Sequence, residues 1–285
     1  MIGRYVFFAI LINIASSMHC PAQTVSGLKA HIVKTLKQIE IFADFSSPQI
    51  TYDSDDSNHL RPSVRRPKGN YRDSLERINK RFRKYLMATL PQVTESLSSD
   101  LSLPSDMTIS TSADKKFRSW AWNTRTGGSM PDITLLIEYK TSKGIKVAWP
   151  NGGHDISDES PDTTYVLKSP EGMTYYLSLT EWPAEQRNFG KTIRAFVIAD
   201  SGLVLDFKLF KTPDALTGKL KLESDLSFSS EDWKDWNHIP DSFPGITLSA
   251  DNRRLFLPHP DDSDRVVMDL YEFDGEHFVY KGVSK

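Results

Sequence analysis

Near Leu103 the hydrophobic pattern changes from helical spacing to strict alternation, and this switch restricts what the chain can build. Upstream, Leu28, Ile32, Leu36 and Ile39 recur every three or four residues, leaving Lys29, Lys34, Lys37 and Glu40 for solvent. That spacing predicts a helix over 24–42. A second helix is predicted over 71–90, with Leu75, Ile78, Phe82 and Leu86 on its apolar face. Arg72, Arg77, Lys80, Arg81, Arg83 and Lys84 fall elsewhere on it. Residues 46–70, rich in Ser, Pro, Asp and Arg, read as a charged loop. Pro91 bends the chain, and a short helix is expected up to about Leu101.

Downstream of Leu103 the alternation is that of strands. Ile133, Leu135, Ile137 and Tyr139 alternate, and Lys143-Gly144 turns the chain into the next run. Met173, Tyr175, Leu177 and Leu179 alternate with Thr174, Tyr176, Ser178 and Thr180, the pattern of a half-buried strand. Asp200-Ser201-Gly202 and Asp274-Gly275 mark tight hairpin connections. Hairpins without interleaved helices imply antiparallel pairing. Asp114, Asp200, Asp251 and Asp274 are unevenly spaced, so no fixed-period repeat is read. The expected fold class is α+β, N-terminal helices packed on a large antiparallel β-sheet system. Residues 23–102 form the helical region and residues 103–285 the β-rich region of the same domain.

Arg4 followed by the apolar run Tyr5–Ala15 has the form of a signal peptide, with Cys20-Pro21-Ala22 placing small residues before a cut after Ala22. Residues 1–22 are therefore read as a leader, and the mature chain as exported, periplasmic or secreted, and soluble. A lipid anchor at Cys20 is the lesser alternative, because His19 stands where a lipoprotein box has a small residue. Cleavage after Ala22 also removes the single cysteine, and with it any disulfide or thiolate chemistry. The formal charge of −2 gives no overall field toward nucleic acid.

The stretch Phe256-Leu257-Pro258-His259-Pro260-Asp261-Asp262 resembles the A-H-P-D-D-E motif of a family of zinc-dependent deacetylases. The resemblance implies zinc ligands at His259 and Asp262 and a general base at Asp261. Here Ser263 replaces the glutamate, only His277 follows, and three converging zinc ligands are not supplied. The stretch is read instead as a proline-bracketed turn. Asp53–Asn58 fails as a calcium loop for want of Gly at its sixth position and Glu at its twelfth. The acidic loop from Asp155 to Asp162 matches no standard calcium loop. His31, His154 and His238 do not converge in sequence, and no metal or other cofactor is expected. Glu138, Glu181, Asp206 and Asp269 lie on or beside strands and are the carboxylates from which a glycosidase pair would be drawn.

The most distinctive segment is Ser112–Met130. It resembles a pattern in uncharacterised exported bacterial proteins of the Bacteroidota type, S-x-D-G-K-x-R-x-x-S-W-D-T-x-T-G-G-T-M. Arg118, Trp122, Thr124, Gly127, Gly128 and Met130 match, whereas Lys115 stands for the Gly and Asn123 for the Asp. The closing Tyr271–Tyr280 run is similar to the terminal hairpin of the same proteins. The resemblance implies export and no known activity.

By alternation Arg118, Trp120 and Trp122 share one strand face. An open face would offer stacked guanidinium and indoles to a sugar ring or peptide, making these three the candidate binding residues. A face covered by the helices would make them core, and core packing is the favoured reading of the two. The functional expectation is an exported, non-enzymatic binding or envelope-associated module with a glycan or protein ligand. The alternative is a glycan-directed exported hydrolase.

Overall fold

The computed structural model describes residues 24–46, 49–52, 62–65, 71–127, 131–150, 159–183, 188–205, 207–219, 221–227, 245–261 and 265–284. The predicted leader, Asp206 and residues 155–158 of the acidic loop lie outside them. Helices α1 (Val25–Ser46) and α2 (Tyr71–Thr89) appear where the apolar spacing placed them, with a two-stranded ribbon of β1 (Gln49–Tyr52) and β2 (Pro62–Arg65) between them in the chain. After α2 comes a single 3-10 turn, Leu90–Gln92, followed by hydrogen-bonded turns rather than the expected short helix. Pro91 has no N–H to continue the ladder.

Three larger sheets follow. The first is a meander of β3 (Met107–Thr111), β4 (Phe117–Asn123), β5 (Ile133–Thr141) and β6 (Gly144–Ala148). The second holds β7 (Ser160–Lys168), β8 (Thr174–Pro183), β9 (Asn188–Ala199) and β10 (Gly202–Val204) in that spatial sequence. The chain then leaves to form β11 (Phe210–Thr212) and β12 (Ala215–Lys219), and returns as β13 (Lys221–Ser227). β13 pairs with the first half of β9 on the edge whose other end carries β10. The third sheet has the order β12-β11-β17-β16-β15-β14, adding β14 (Thr247–Leu248), β15 (Arg254–Pro260), β16 (Val266–Phe273) and β17 (Phe278–Val283). Among the described strands, β11 on β17 is the only parallel pair.

Strand alternation stacks these sheets into layers. On β4 and β5, Trp120, Trp122 and Leu136 join Leu28, Ile32, Leu75, Phe82 and Leu86 in the helix-side core. Phe117, Ala121, Leu135, Ile137 and Tyr139 point the other way, onto Tyr176 and Phe196 of the second sheet. The opposite face of that sheet, with Leu177, Leu179, Ile193 and Ala195, packs on Leu255, Tyr271, Phe273 and Phe278 of the third. The order is helices, first sheet, second sheet, third sheet. This explains why β8, read as half-buried, is covered on both faces from Tyr175 to Thr180. A strand inside a stack keeps its alternation, but small hydroxyl residues replace charged ones on the more polar face.

One turn recurs in all three sheets. In Ser112-Ala113-Asp114-Lys115, the serine Oγ accepts from Phe117 N at 3.0 Å and donates to Asp114 Oδ1 at 2.7 Å. The same atoms of Ser249-Ala250-Asp251-Asn252 repeat this, at 2.9 Å from Arg254 N and 2.5 Å to Asp251. Ser169-Pro170-Glu171-Gly172 closes β7–β8 with the corresponding Gly172 N to Ser169 O bond, at 3.0 Å. The fourth residue is left-handed each time, with φ of 56° at Lys115, 57° at Asn252 and 88° at Gly172.

The proline-bracketed part of the Phe256–Asp262 stretch, Pro258–Pro260, expected to be a turn, is part of strand β15, paired with β16 up to Pro260 against Val266. Just beyond the strand, Asp261 N donates to Arg265 O at 2.8 Å. Phe256 pairs outward with Thr247, and Pro258 O accepts outward from Ser224 Oγ at 2.8 Å. Residues 256, 258 and 260 thus direct their backbone groups away from β16, where a proline removes no ladder bond.

Candidate functional site

Arg118, Trp120 and Trp122 lie on the helix-side face of β4 at 3%, 0% and 1% exposure. The helical layer covers that face. Arg118 Nη1 donates to Ser96 O at 2.5 Å, Nη2 to Leu97 O at 3.3 Å and Ser99 O at 2.8 Å, and Nε to Thr111 Oγ1 at 2.7 Å. Glu138 stands opposite Arg118 in the strand register. It accepts from the Ser96 hydroxyl and, at 3.0 Å, from Trp120 Nε1. Burial pushes the Glu138 carboxyl above its ordinary value, only partly offset by Ser96, Arg118 and Trp120. Burial likewise lowers the Arg118 guanidinium, against the pull of Glu138 and Asp100. Trp122 Nε1 donates to Asn79 Oδ1 at 3.0 Å, and Asn79 Nδ2 reaches the carbonyls of Leu75 and Thr124 at 2.9 Å each. This network fastens the segment after α2, and α2 itself, to the first sheet. No open ring face is left for a ligand.

The other sequence candidates are dispersed. Glu138 is in that core. Glu181 is exposed, 2.6 Å from Lys191 Nζ, which is also 3.6 Å from Asp162. Glu159, within the acidic loop, is buried at 3.5 Å from Arg194 and accepts from Thr180 at 2.8 Å. His31 stacks on Tyr85 with ring centroids 3.6 Å apart, and Arg83 lies 3.4 Å over the Trp149 ring. His154, His238, Trp233 and Trp236 lie outside the described residues, as does the Trp182 side chain. Among the described residues, no group of three His, Cys, Asp or Glu side chains is placed to hold a metal.

Asp269 is different. On β16 the inward row runs Asp269, Tyr271, Phe273, and the last two enter the core between the second and third sheets. Asp269 lies beyond that core's edge, where the β11–β12 turn and β13 leave a crevice of about 350 Å³. Thr212, Asp214 and Lys219 line one side, Lys221 and Glu223 another, and Leu257, Asp269, Tyr271 and Tyr280 the floor. Tyr271 and Tyr280 face each other in register, with centroids 5.4 Å apart and rings inclined at 62°. Tyr280 Oη donates to Asp269 Oδ1 at 3.2 Å, and His259 Nδ1 lies 3.4 Å from Asp269 Oδ2. Burial, then the charge of Asp269, pushes the Tyr271 phenol up to about 12, so it remains a neutral donor across the neutral range.

The charges in the crevice are largely matched. Lys219 Nζ is 2.9 Å from Asp214, and Lys221 Nζ is 2.6 Å from Glu223. Such a wall presents paired donors and acceptors without a strong net field, which suits a ligand rich in hydroxyls. Sequence reasoning singled out Asp269 but missed its neighbours. The available signal was an acid within an inward row that is otherwise apolar and aromatic.

Comparison of the chain with protein-family models, with curated proteins and with solved structures yields no match.

Proposed function

We propose that the protein is an exported, non-catalytic binding module that holds a neutral, polyhydroxylated ligand of sugar size in the Asp269 crevice. The observation that carries this reading is the half-buried Tyr280, seated against the buried Tyr271 ring and hydrogen-bonded to Asp269, in a charge-matched recess. The face of a tyrosine ring packs on the apolar C–H face of a sugar, while carboxylate and phenol take its hydroxyls. Nearby carboxylates Asp214 and Glu223 are neutralised by lysines, which favours binding over acid–base catalysis. The test is titration with mono- and disaccharides of wild type and of the Asp269→Asn and Tyr280→Phe variants.

Export is supported by Arg4 and the apolar run Tyr5–Ala15, with processing after Ala22. Among the described residues, no helix is long and apolar enough to cross a membrane. The likeness to Bacteroidota-type exported proteins gains physical sense from two positions. Lys115, where their pattern has Gly, has a left-handed φ of 56°. Asn123, where the pattern has Asp, accepts from Arg125 N at 2.8 Å, a task either side chain performs.

A further inference from the structure

The two helices carry nine basic side chains and four carboxylates, a surplus of five positive charges on a chain of formal charge −2. The surplus is concentrated. Arg77, Lys80, Arg81 and Lys84 follow the i, i+3, i+4, i+7 spacing that gathers four residues on one helix face. All four are exposed, opposite the buried Leu75, Phe82 and Leu86. Glu76 is drawn away to Arg72, at 3.6 Å. Asp73 adjoins the start of the stripe, and its carbonyl receives Arg77 Nε at 3.2 Å. Lys80, Arg81 and Lys84 have no ion-pair partner among the described residues.

A basic helix face alone is ordinarily just solvated, but the neighbouring helix adds an apolar component. Val33 and Ile41 of α1 are 39% and 42% exposed, beside Lys34 and Lys37 and opposite the buried Leu28, Ile32 and Leu36. Glu40 and Asp44 lie on the same outward side. Because α1 and α2 bury their inner faces in one core against the first sheet, both outward faces look away from the sheets.

We propose that this outer surface of the helical layer docks on an anionic lipid bilayer. The basic side chains would sit among the headgroups, with Val33 and Ile41 entering the interfacial zone. Lipid is the partner because a hydrophilic polyanion would meet the charges and leave Val33 and Ile41 in water. Docked this way, the protein presents the crevice between the second and third sheets away from the membrane. The inference stands on its own surface and does not require the sugar reading.

The experiment uses the protein recovered from expressing cells, with its N-terminus defined by mass, and sedimentation with phosphatidylglycerol-rich or pure phosphatidylcholine vesicles. The expected result is a strong preference for the anionic vesicles that fades as salt rises. The R77Q/K80Q/R81Q/K84Q variant should lose most of that preference, roughly fivefold per side chain and several hundredfold together. V33S/I41S should weaken binding to the same vesicles without changing its salt dependence. Equal partition between the two vesicle types overturns the proposal. So does an unchanged preference in a quadruple variant that melts like wild type, or capture on heparin without capture on vesicles. Should a variant fold poorly, the salt titration of the wild type still supports or overturns the proposal.

Discussion

Arg118→Met is the sharpest perturbation of the core. Methionine keeps much of the buried volume but removes the donors to the carbonyls of Ser96, Leu97 and Ser99 and to Thr111 Oγ1. It also removes the positive charge facing Glu138. Losing these donors and leaving the buried Glu138 carboxyl without its facing charge should cost about 3–5 kcal/mol. At roughly 2–4 °C per kcal/mol for a chain of this size, the melting midpoint falls by about 6–20 °C. Adding Glu138→Leu removes the stranded carboxylate, so the double variant should be less damaged than the sum of the singles by about 1–3 kcal/mol. The pH dependence has a definite sign. The folded Glu138 carboxyl titrates above its ordinary 4.5, so the stability from its neutral form is complete below 4.5 and is lost as pH rises through the folded value. Without Arg118 that folded value rises further, so the deficit of Arg118→Met should widen from acid to neutral pH. Thermal unfolding followed by circular dichroism at both pH values is the assay. Additive losses, or a deficit that does not change with pH, would refute the coupling between Arg118 and Glu138.

Three further outcomes are expected. Trp122→Ala removes a fully buried ring packed edge-on against Phe82 at 5.0 Å, and should cost about 3–5 kcal/mol; a midpoint equal to that of wild type contradicts its core placement. Lys115→Gly relieves a left-handed residue at a turn tip and should stabilise by about 0.5–1 kcal/mol in chemical denaturation, whereas a loss would contradict the backbone assignment. Intact mass of the exported protein should correspond to a chain beginning at Gln23, and a mass that retains Met1–Ala22 rules out the leader.

Features set by local chemistry were legible in the sequence. The apolar spacing of Leu28 to Ile39 and of Leu75 to Leu86 needs only one neighbour to cover it, and both helices appear at those positions. The alternation from Ile133 to Tyr139 likewise placed β5. Features that depend on what lies on each side of a strand were not legible. The row Arg118, Trp120, Trp122 has the same alternation whether solvent or helices lie above it; core packing is the favoured reading, and the helices do cover it. Pro258 and Pro260 look like turn residues until the direction of their backbone groups on β15 is known. The crevice joins Asp214, Glu223 and Asp269 from three separate stretches, and no spacing in the chain announces that meeting. The Ser-x-Asp turn was visible as Ser-Ala-Asp at 112–114 and 249–251, but its uneven intervals hid it from a search for fixed periods.

Whether the Asp269 crevice holds a sugar is open to saturation-transfer NMR. Wild-type protein would be screened against a panel of mono- and disaccharides, and any sugar that receives saturation would be rescreened against Asp269→Asn and Tyr280→Phe. Transfer to at least one sugar is expected, strongest at ring protons packed on the half-buried Tyr280, with its loss in both variants while their melting midpoints stay near that of wild type. No transfer to any panel member, or transfer that persists undiminished in both variants, would show that the crevice is not the ligand site.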